Sequence, residues 1–245
     1  MDLGLTGRNA MVAGGSSGLG LGTARALVGE GANVSICGRD AGRLAAAIDE
    51  LQQHAVDGAR VHGAEVDVRD DAGLVRWVGD VEAALGPVDI AVANAGGPPK
   101  GDADEVDVDD YRRALELNLM PSIVLTEHVL PGMRRRGWGR VLFITSVSVL
   151  DPLPGLALSN VARPGLVGYA RSLVDVLDGD SGSVTVNVLA PGPHATPRVS
   201  ASTGHGRLGD PHDFGAVAAF VCSRQAAYVH GAVIAVDGGA HGGAA

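Results

Sequence analysis

The stretch Ala13-Gly14-Gly15-Ser16-Ser17-Gly18-Leu19-Gly20 has the composition and spacing to hold a pyrophosphate. It follows the apolar run Ala10-Met11-Val12, which reads as a buried strand, and opens onto Gly22-Thr23-Ala24-Arg25-Ala26-Leu27-Val28, a good helix former. A glycine turn between strand and helix presents free backbone N–H groups, here those of Ser16, Ser17, Gly18 and Leu19, at the positive end of a helix dipole. Gly14 allows the tight turn, Gly18 the close approach of phosphates, and Gly20 close contact between helix and strand. A second chemical residue lies further on. The run Ala32 to Cys37 reads as the next strand and ends in Gly38-Arg39-Asp40. An acidic side chain there would bond a ribose 2′-hydroxyl, whereas the Arg39 guanidinium suits a 2′-phosphate. The expected cofactor is therefore NADP(H) rather than NAD(H).

The elements that position these residues alternate along the chain. Helix-like segments over 40–53 and around Val75 to Val78 separate strand-like runs at 60–66 and Val88 to Ala93. The latter run ends in the small-residue turn Asn94-Ala95-Gly96-Gly97-Pro98-Pro99, at the carboxyl end of a central strand, where such sheets bind ligands. A helical region over about 106–136 contains Pro121, which lacks the N–H for the Leu117 carbonyl and should bend it. Strands are expected at Arg140–Thr145, Val184–Leu189 and Ala232–Val236, with a helix ending near Leu177 and another around Asp213 to Cys222. This alternation predicts an α/β fold: a Rossmann-like, doubly wound parallel sheet of about seven strands with helices on both faces. No linker or internal repeat interrupts it, so residues 1–245 read as one domain.

Composition narrows the partners. The chain has 245 residues, 46% hydrophobic and 19% charged, in the range of a globular protein that buries a sizeable core. A net charge of −9 disfavours nucleic acid or an anionic membrane as partner. No apolar run reaches the length of about 18 residues needed to span a membrane, and no basic-then-apolar leader opens the sequence. The two cysteines, Cys37 and Cys222, lack metal-ligand spacing and read as buried thiols, so no metal is expected and the location expected is cytoplasmic. Lys100 is the only lysine, against eighteen arginines.

Taken together, these landmarks resemble the short-chain dehydrogenase/reductase family from about Leu5 to Gly239. Its phosphate loop is matched from Ala13-Gly14 to Gly20, with Ala in place of the leading Thr. Its adenine-contacting Asp–Val pair resembles Asp67-Val68, and its Asn-Ala-Gly turn resembles Asn94 to Gly96. The long-helix asparagine is matched by Asn118 and the catalytic serine by Ser146. The nicotinamide-side Pro-Gly and Thr are matched by Pro191-Gly192 and Thr196, and the closing Val-Asp-Gly-Gly by Val236 to Gly239. The resemblance implies a small-molecule substrate and a homodimer or homotetramer built through two long helices.

At the catalytic centre the chain departs from the family. The family's serine is followed about thirteen residues later by Tyr-x-x-x-Lys, but counting from Ser146 lands on Ser159-Asn160-Val161-Ala162-Arg163. In the family, the tyrosine protonates the substrate oxygen, while the lysine lowers its pKa and bonds the nicotinamide ribose. Ser159 can donate a hydrogen bond but is a far weaker acid. Arg163 keeps a charge and a possible ribose contact but cannot shuttle protons. Tyr169 lies ten residues beyond Ser159, about 15 Å along a continuous helix. His194, in the loop after Pro191-Gly192, is the one histidine with a line to the substrate, and its ordinary pKa near 6.5 suits acid–base work. Asp151 is a second candidate for the pocket wall. Pro164 implies either a kinked helix or one that starts there and leaves Ser159 to Arg163 outside it. The segment from Thr196 to Gly206 is short for the family's substrate lid, which points to an open pocket or one covered by a partner subunit.

The leading expectation is an atypical NADP(H)-dependent reductase. In it Asn118, Ser146 and Ser159 position a carbonyl or a conjugated enone, and water or His194 gives the proton. The alternatives are a non-redox enzyme (cyclase, dehydratase or isomerase) that stabilises an oxyanion with Ser146, Ser159 and Arg163, and a cofactor-binding subunit without catalysis.

Overall fold

The short apolar runs become strands because both of their faces are covered. In the computed structural model, which describes residues 1–177, 183–199 and 207–240, the first half of the chain runs β1 (Asn9–Val12), α1 (Gly18–Gly29), β2 (Asn33–Gly38), α2 (Ala41–His54), β3 (Val61–Glu65), α3 (Asp71–Ala84) and β4 (Ile90–Ala93). The second half runs α4 (Val108–Asn118), α5 (Met120–Arg136), β5 (Trp138–Ile144), a 3-10 turn (Val147–Val149), α6 (Ala157–Ala162), α7 (Pro164–Leu177), β6 (Ser183–Pro191), α8 (Pro211–Val221) and β7 (Val233–Val236).

The seven strands form one sheet in the order β3-β2-β1-β4-β5-β6-β7, and each neighbouring pair is parallel. Alternate residues feed two apolar layers, as the strand period of two requires. Met11, Ala91, Val141, Phe143 and Val186 face Trp77 of α3, Leu125 of α5 and Leu166 of α7. Ala10, Val12, Ile90, Leu142 and Leu189 face Leu27 of α1, Leu44 of α2 and Phe214 of α8. The strand order reverses between β1 and β4, so the loops after these two strands flank the crevice where such sheets take ligands.

Two helical expectations need correction. The region over 106–136 is not one bent helix. It divides at Leu119, which ends α4 and precedes α5, and Pro121 occupies the first turn of α5, where its missing N–H costs nothing. The proline actually inside a helix is Pro131. Near Pro164 the chain likewise starts a new helix, α7. The residues before it are nevertheless helical in their own right, with Ser159 in the short helix α6 and Arg163 as its C-cap. Pro164 cannot donate to the preceding turn, so the hydrogen-bond ladder breaks there while the backbone of Arg163 stays helical (φ −77°, ψ −34°). Among the described residues, no helix is long and apolar enough to cross a membrane.

Candidate functional site

The glycine loop forms a tight cradle between β1 and α1. Gly14 and Gly18 both take φ +58°, the left-handed conformation that a side chain disfavours. A Cβ on Gly20 would lie 2.3 Å from the Gly14 carbonyl oxygen, so only glycine lets α1 start this close to the turn. The hydroxyl of Ser17, the N-cap residue of α1, makes no capping bond, which leaves the helix's leading N–H groups free for an anion. Ser16 Oγ sits over Gly38 at the end of β2, and Leu19 packs against the α1 side of the core. Thr196, from the loop after β6, closes on Gly18: its Cγ2 lies 3.4 Å from where a Gly18 Cβ would stand.

At the ends of β2 and β3 lie Arg39 and Asp67. The Arg39 guanidinium is mostly exposed, 3.9 Å from Asp67 Oδ2. Asp67 is gripped more closely by Arg69, whose Nη2 donates to Oδ2 at 2.6 Å and whose backbone N–H donates to Oδ1 at 3.0 Å. The Arg69 hydrogen bond holds the Asp67 carboxyl below the usual aspartate range, and the Arg39 charge adds to it. The side chain of Val68, beside it, is buried in the core.

The loop after β4 is the hub of the site. Asn94 Nδ2 reaches back to the carbonyls of Ala13 and Gly14 at 3.2 and 3.3 Å, tying this loop to the phosphate cradle. Its next four carbonyls are each taken by a side chain from elsewhere. Arg163 Nη2 reaches Ala95 O at 3.5 Å, and Asn118 Nδ2 donates to Gly96 O at 2.8 Å. Arg198 donates to Gly97 O at 2.5 Å and to Pro98 O at 2.7 Å. Asn118 Oδ1 is buried and accepts no hydrogen bond among the described residues.

The structure brings Ser146, Ser148 and Ser159 together at the end of β5. Ser146 Oγ accepts from the Ser148 N–H at 3.2 Å and so caps the 3-10 turn. That turn aims Ser148 at α6, where its Oγ lies 3.4 Å from Ser159 Oγ. Both of these hydroxyls are buried, Ser159 at 6% exposure. Ser148 joins this cluster without any motif in the sequence to mark it beyond its place two residues after Ser146.

Two side chains given roles above are already engaged within the protein. Arg163 is turned toward the end of β5. It is 7% exposed, and Nη1 donates to Thr145 O at 2.7 Å and Ile144 O at 3.2 Å, locking α6 to the end of β5. Burial pushes its pKa down to about 10, with the Arg198 charge contributing. His194 is not aimed at a substrate. It is 4% exposed, its Nδ1 bonds the Gly192 carbonyl at 2.9 Å, and its ring stands edge-on to Phe214 of α8 with centroids 5.4 Å apart. The loop after Pro191-Gly192 turns the imidazole into a hole between β6 and α8, with the Gly209 backbone against it. Asp151 is exposed, and Tyr169 packs on Phe143 in the core. The expected short lid falls largely on residues 200–206, outside the described residues.

Comparison with known proteins agrees with this architecture. The short chain dehydrogenase family profile matches residues 8–205. Nodulation protein G of Azospirillum brasilense is 33% identical over 94% of this chain and 96% of its own. L-sorbose reductase from Gluconobacter frateurii, solved with NADPH and L-sorbose, superposes with a TM-score of 0.88 at 29% identity, covering 97% of this chain and 98% of its own. A 7α-hydroxysteroid dehydrogenase, solved with NADH and 7-oxo glycochenodeoxycholic acid, also reaches 0.88 at 28% identity, covering 97% and 96%.

Proposed function

The chain belongs to the short-chain dehydrogenase family of oxidoreductases, and on that premise we propose that it reduces a carbonyl or conjugated enone in a small molecule with NADP(H). The observation that carries this reading is a complete nucleotide cradle beside a centre built of serine hydroxyls. The cradle fits the group: Gly20 leaves no room for a side chain, the α1 N-terminus is uncapped, and Ser16 and Thr196 border the turn. Ser16, Ser17, Gly18 and Leu19 would hold the diphosphate, Asp67 and Val68 the adenine, and Asn94, Gly96, Pro191, Gly192 and Thr196 the nicotinamide end. Arg39 would take the 2′-phosphate. When bound, the reduced nicotinamide supplies hydride to an electrophilic carbon.

The chain's own residues then act on the oxygen. Ser146 and the Ser148–Ser159 pair donate hydrogen bonds to it but do not protonate it, because an alcohol is too weak an acid for that. Asn118 Oδ1 offers a buried acceptor for a water or a substrate hydroxyl. An enone that accepts hydride at carbon needs less help at oxygen than a simple ketone, so the missing phenol favours enones. Water gives the final proton.

The test is coenzyme consumption, followed by the loss of NADPH near-ultraviolet absorbance across a panel of ketones and enones, beside product analysis without coenzyme. Turnover of enones only with NADPH supports the reading. Product formed without coenzyme favours the non-redox alternative, in which Ser146, Ser159 and Arg163 stabilise an oxyanion.

A further inference from the structure

Arg198 is an oriented, exposed cation at the candidate site with no carboxylate partner among the described residues. Several other arginines pair with carboxylates: Arg8 with Asp89, Arg69 with Asp67, Arg76 with Asp70, Arg112 with Asp109 and Arg113 with Asp110. Arg60 and Arg140, like Arg198, bond backbone carbonyls, but neither lies in the candidate site. Among the described residues, no carboxylate lies within ion-pair distance of Arg198 or Arg163. The sequence explains part of this: in a chain of net charge −9, no Asp or Glu occurs from Pro193 to Gly209.

The guanidinium is fixed rather than loose. It lies against Gly97, where a Cβ would stand 2.6 to 2.9 Å from its Nη2, Cζ and Nη1 atoms, so the missing side chain makes its bed. Bonds to the Gly97 and Pro98 carbonyls use two of its five N–H donors. The residue as a whole is exposed, although burial of its guanidinium lowers its pKa. Its location also matters. Two residues earlier Thr196 touches the phosphate cradle at Gly18, so the Thr196–Arg198 segment spans from the cradle to the loop after β4. Beneath it lies the buried cation Arg163, bonded to the same loop at Ala95 O. An anion at the mouth of this site would meet a preset planar fork backed by a second positive charge.

We propose that Arg198 determines specificity by binding a carboxylate on the substrate, so that the substrate class is an oxo or enone carboxylic acid. This rests on the reductase reading above and narrows it. A carboxylate matches the fork geometry of a guanidinium. The coenzyme's own phosphates are the competing source of the anion, and the experiment separates the two.

Calorimetric titration of the purified protein, with and without NADPH, uses a series of straight-chain oxo acids and the corresponding amides. The wild-type protein is expected to bind at least one acid roughly 10- to 100-fold more tightly than its amide, the range for a charged hydrogen bond. Arg198→Gln should erase that preference while NADPH affinity stays within about twofold. Arg198→Lys should keep part of it, and decides the matter if the glutamine variant does not fold. The proposal is overturned if no acid in the series outbinds its amide, or if the preference survives in Arg198→Gln. It is also overturned if Arg198→Gln weakens NADPH instead, which assigns the fork to a coenzyme phosphate. Failure of the reductase reading shows separately, as no uptake of NADPH by the wild-type protein.

Discussion

Replacing Arg163 tests whether it is a clamp or a stand-in for the family's lysine. Arg163→Met leaves the Thr145 and Ile144 carbonyls without their donors at 2.7 and 3.2 Å, and removes the weaker reach to Ala95 O. Two buried acceptors left unpaired cost about 1–3 kcal/mol each. Against this, the guanidinium no longer has to be held in a buried place that lowers its pKa to about 10. The carbonyl loss wins by a modest margin, for a net destabilisation of about 2 kcal/mol. At this chain length that corresponds to a fall in Tm of roughly 4–8 °C. Arg163→Lys is the sharper variant. A lysine offers one compact ammonium in place of a planar fork and cannot bond both strand-end carbonyls with the same geometry. As a clamp variant it should lose most of the same stability. Thermal unfolding by circular dichroism, beside fluorescence titration of NADPH, reads both quantities. If Arg163→Lys melts with the wild-type protein and binds NADPH more tightly, Arg163 is a ribose-contact residue and the clamp reasoning is wrong.

Three further outcomes are expected. Arg39→Ala should weaken NADPH about tenfold while NADH affinity changes less than about twofold, measured by parallel titrations; an unchanged ratio removes the 2′-phosphate assignment. Gly20→Ala places a methyl 2.3 Å from the Gly14 carbonyl, so nucleotide binding should disappear and stability should fall by about 1–3 kcal/mol, checked by calorimetry and urea unfolding. For Asp67, the folded pKa is depressed, so its contribution is present above the ordinary value of 3.8 and is lost as pH falls through the folded value. The stability gap between the wild-type protein and Asp67→Asn should therefore be wider at neutral pH than in acid, and a gap independent of pH would exclude the Arg69 bond as its cause.

The sheet was legible in the sequence because both its faces are buried, so the strands read as short apolar runs bounded by glycine and proline. The cradle was legible because Gly14, Gly18 and Gly20 are demanded by backbone geometry, which leaves a trace at fixed spacing. Side-chain direction leaves no such trace. Pro121 and Pro164 marked discontinuities, yet whether each bends a helix or starts one depends on the caps at Leu119 and Arg163. His194 has the right chemistry in the right loop, but the ring's packing on Phe214, twenty residues away, takes it out of reach. Arg198 carried no motif at all; its contacts appear only where the loop after β6 meets Gly97.

The hydrogen bonds of Arg163 reach beyond its own helix. Arg163 binds α6 to the ends of both β4 and β5, through Ala95, Ile144 and Thr145. Asn118 and Arg198 fasten the next three carbonyls of the β4 loop, and Asn94 fastens that loop to the phosphate turn. The loop after β4 is therefore held by four side chains, and through Arg163 it is tied to the strand end from which the serines follow. On the proposed reading such a loop supplies no strong acid; it keeps the neighbouring hydroxyl donors fixed where charge would develop on oxygen, so that they need no reorganisation at the moment of reaction. A substrate whose product oxygen is already stabilised, such as an enone passing to an enolate, gains most from this arrangement, and a simple ketone gains least. On the proposed reading, the ratio of turnover on the two classes is what the clamped loop would set, and loosening it at Asn118, as in Asn118→Ala, should lower enone turnover more than NADPH affinity.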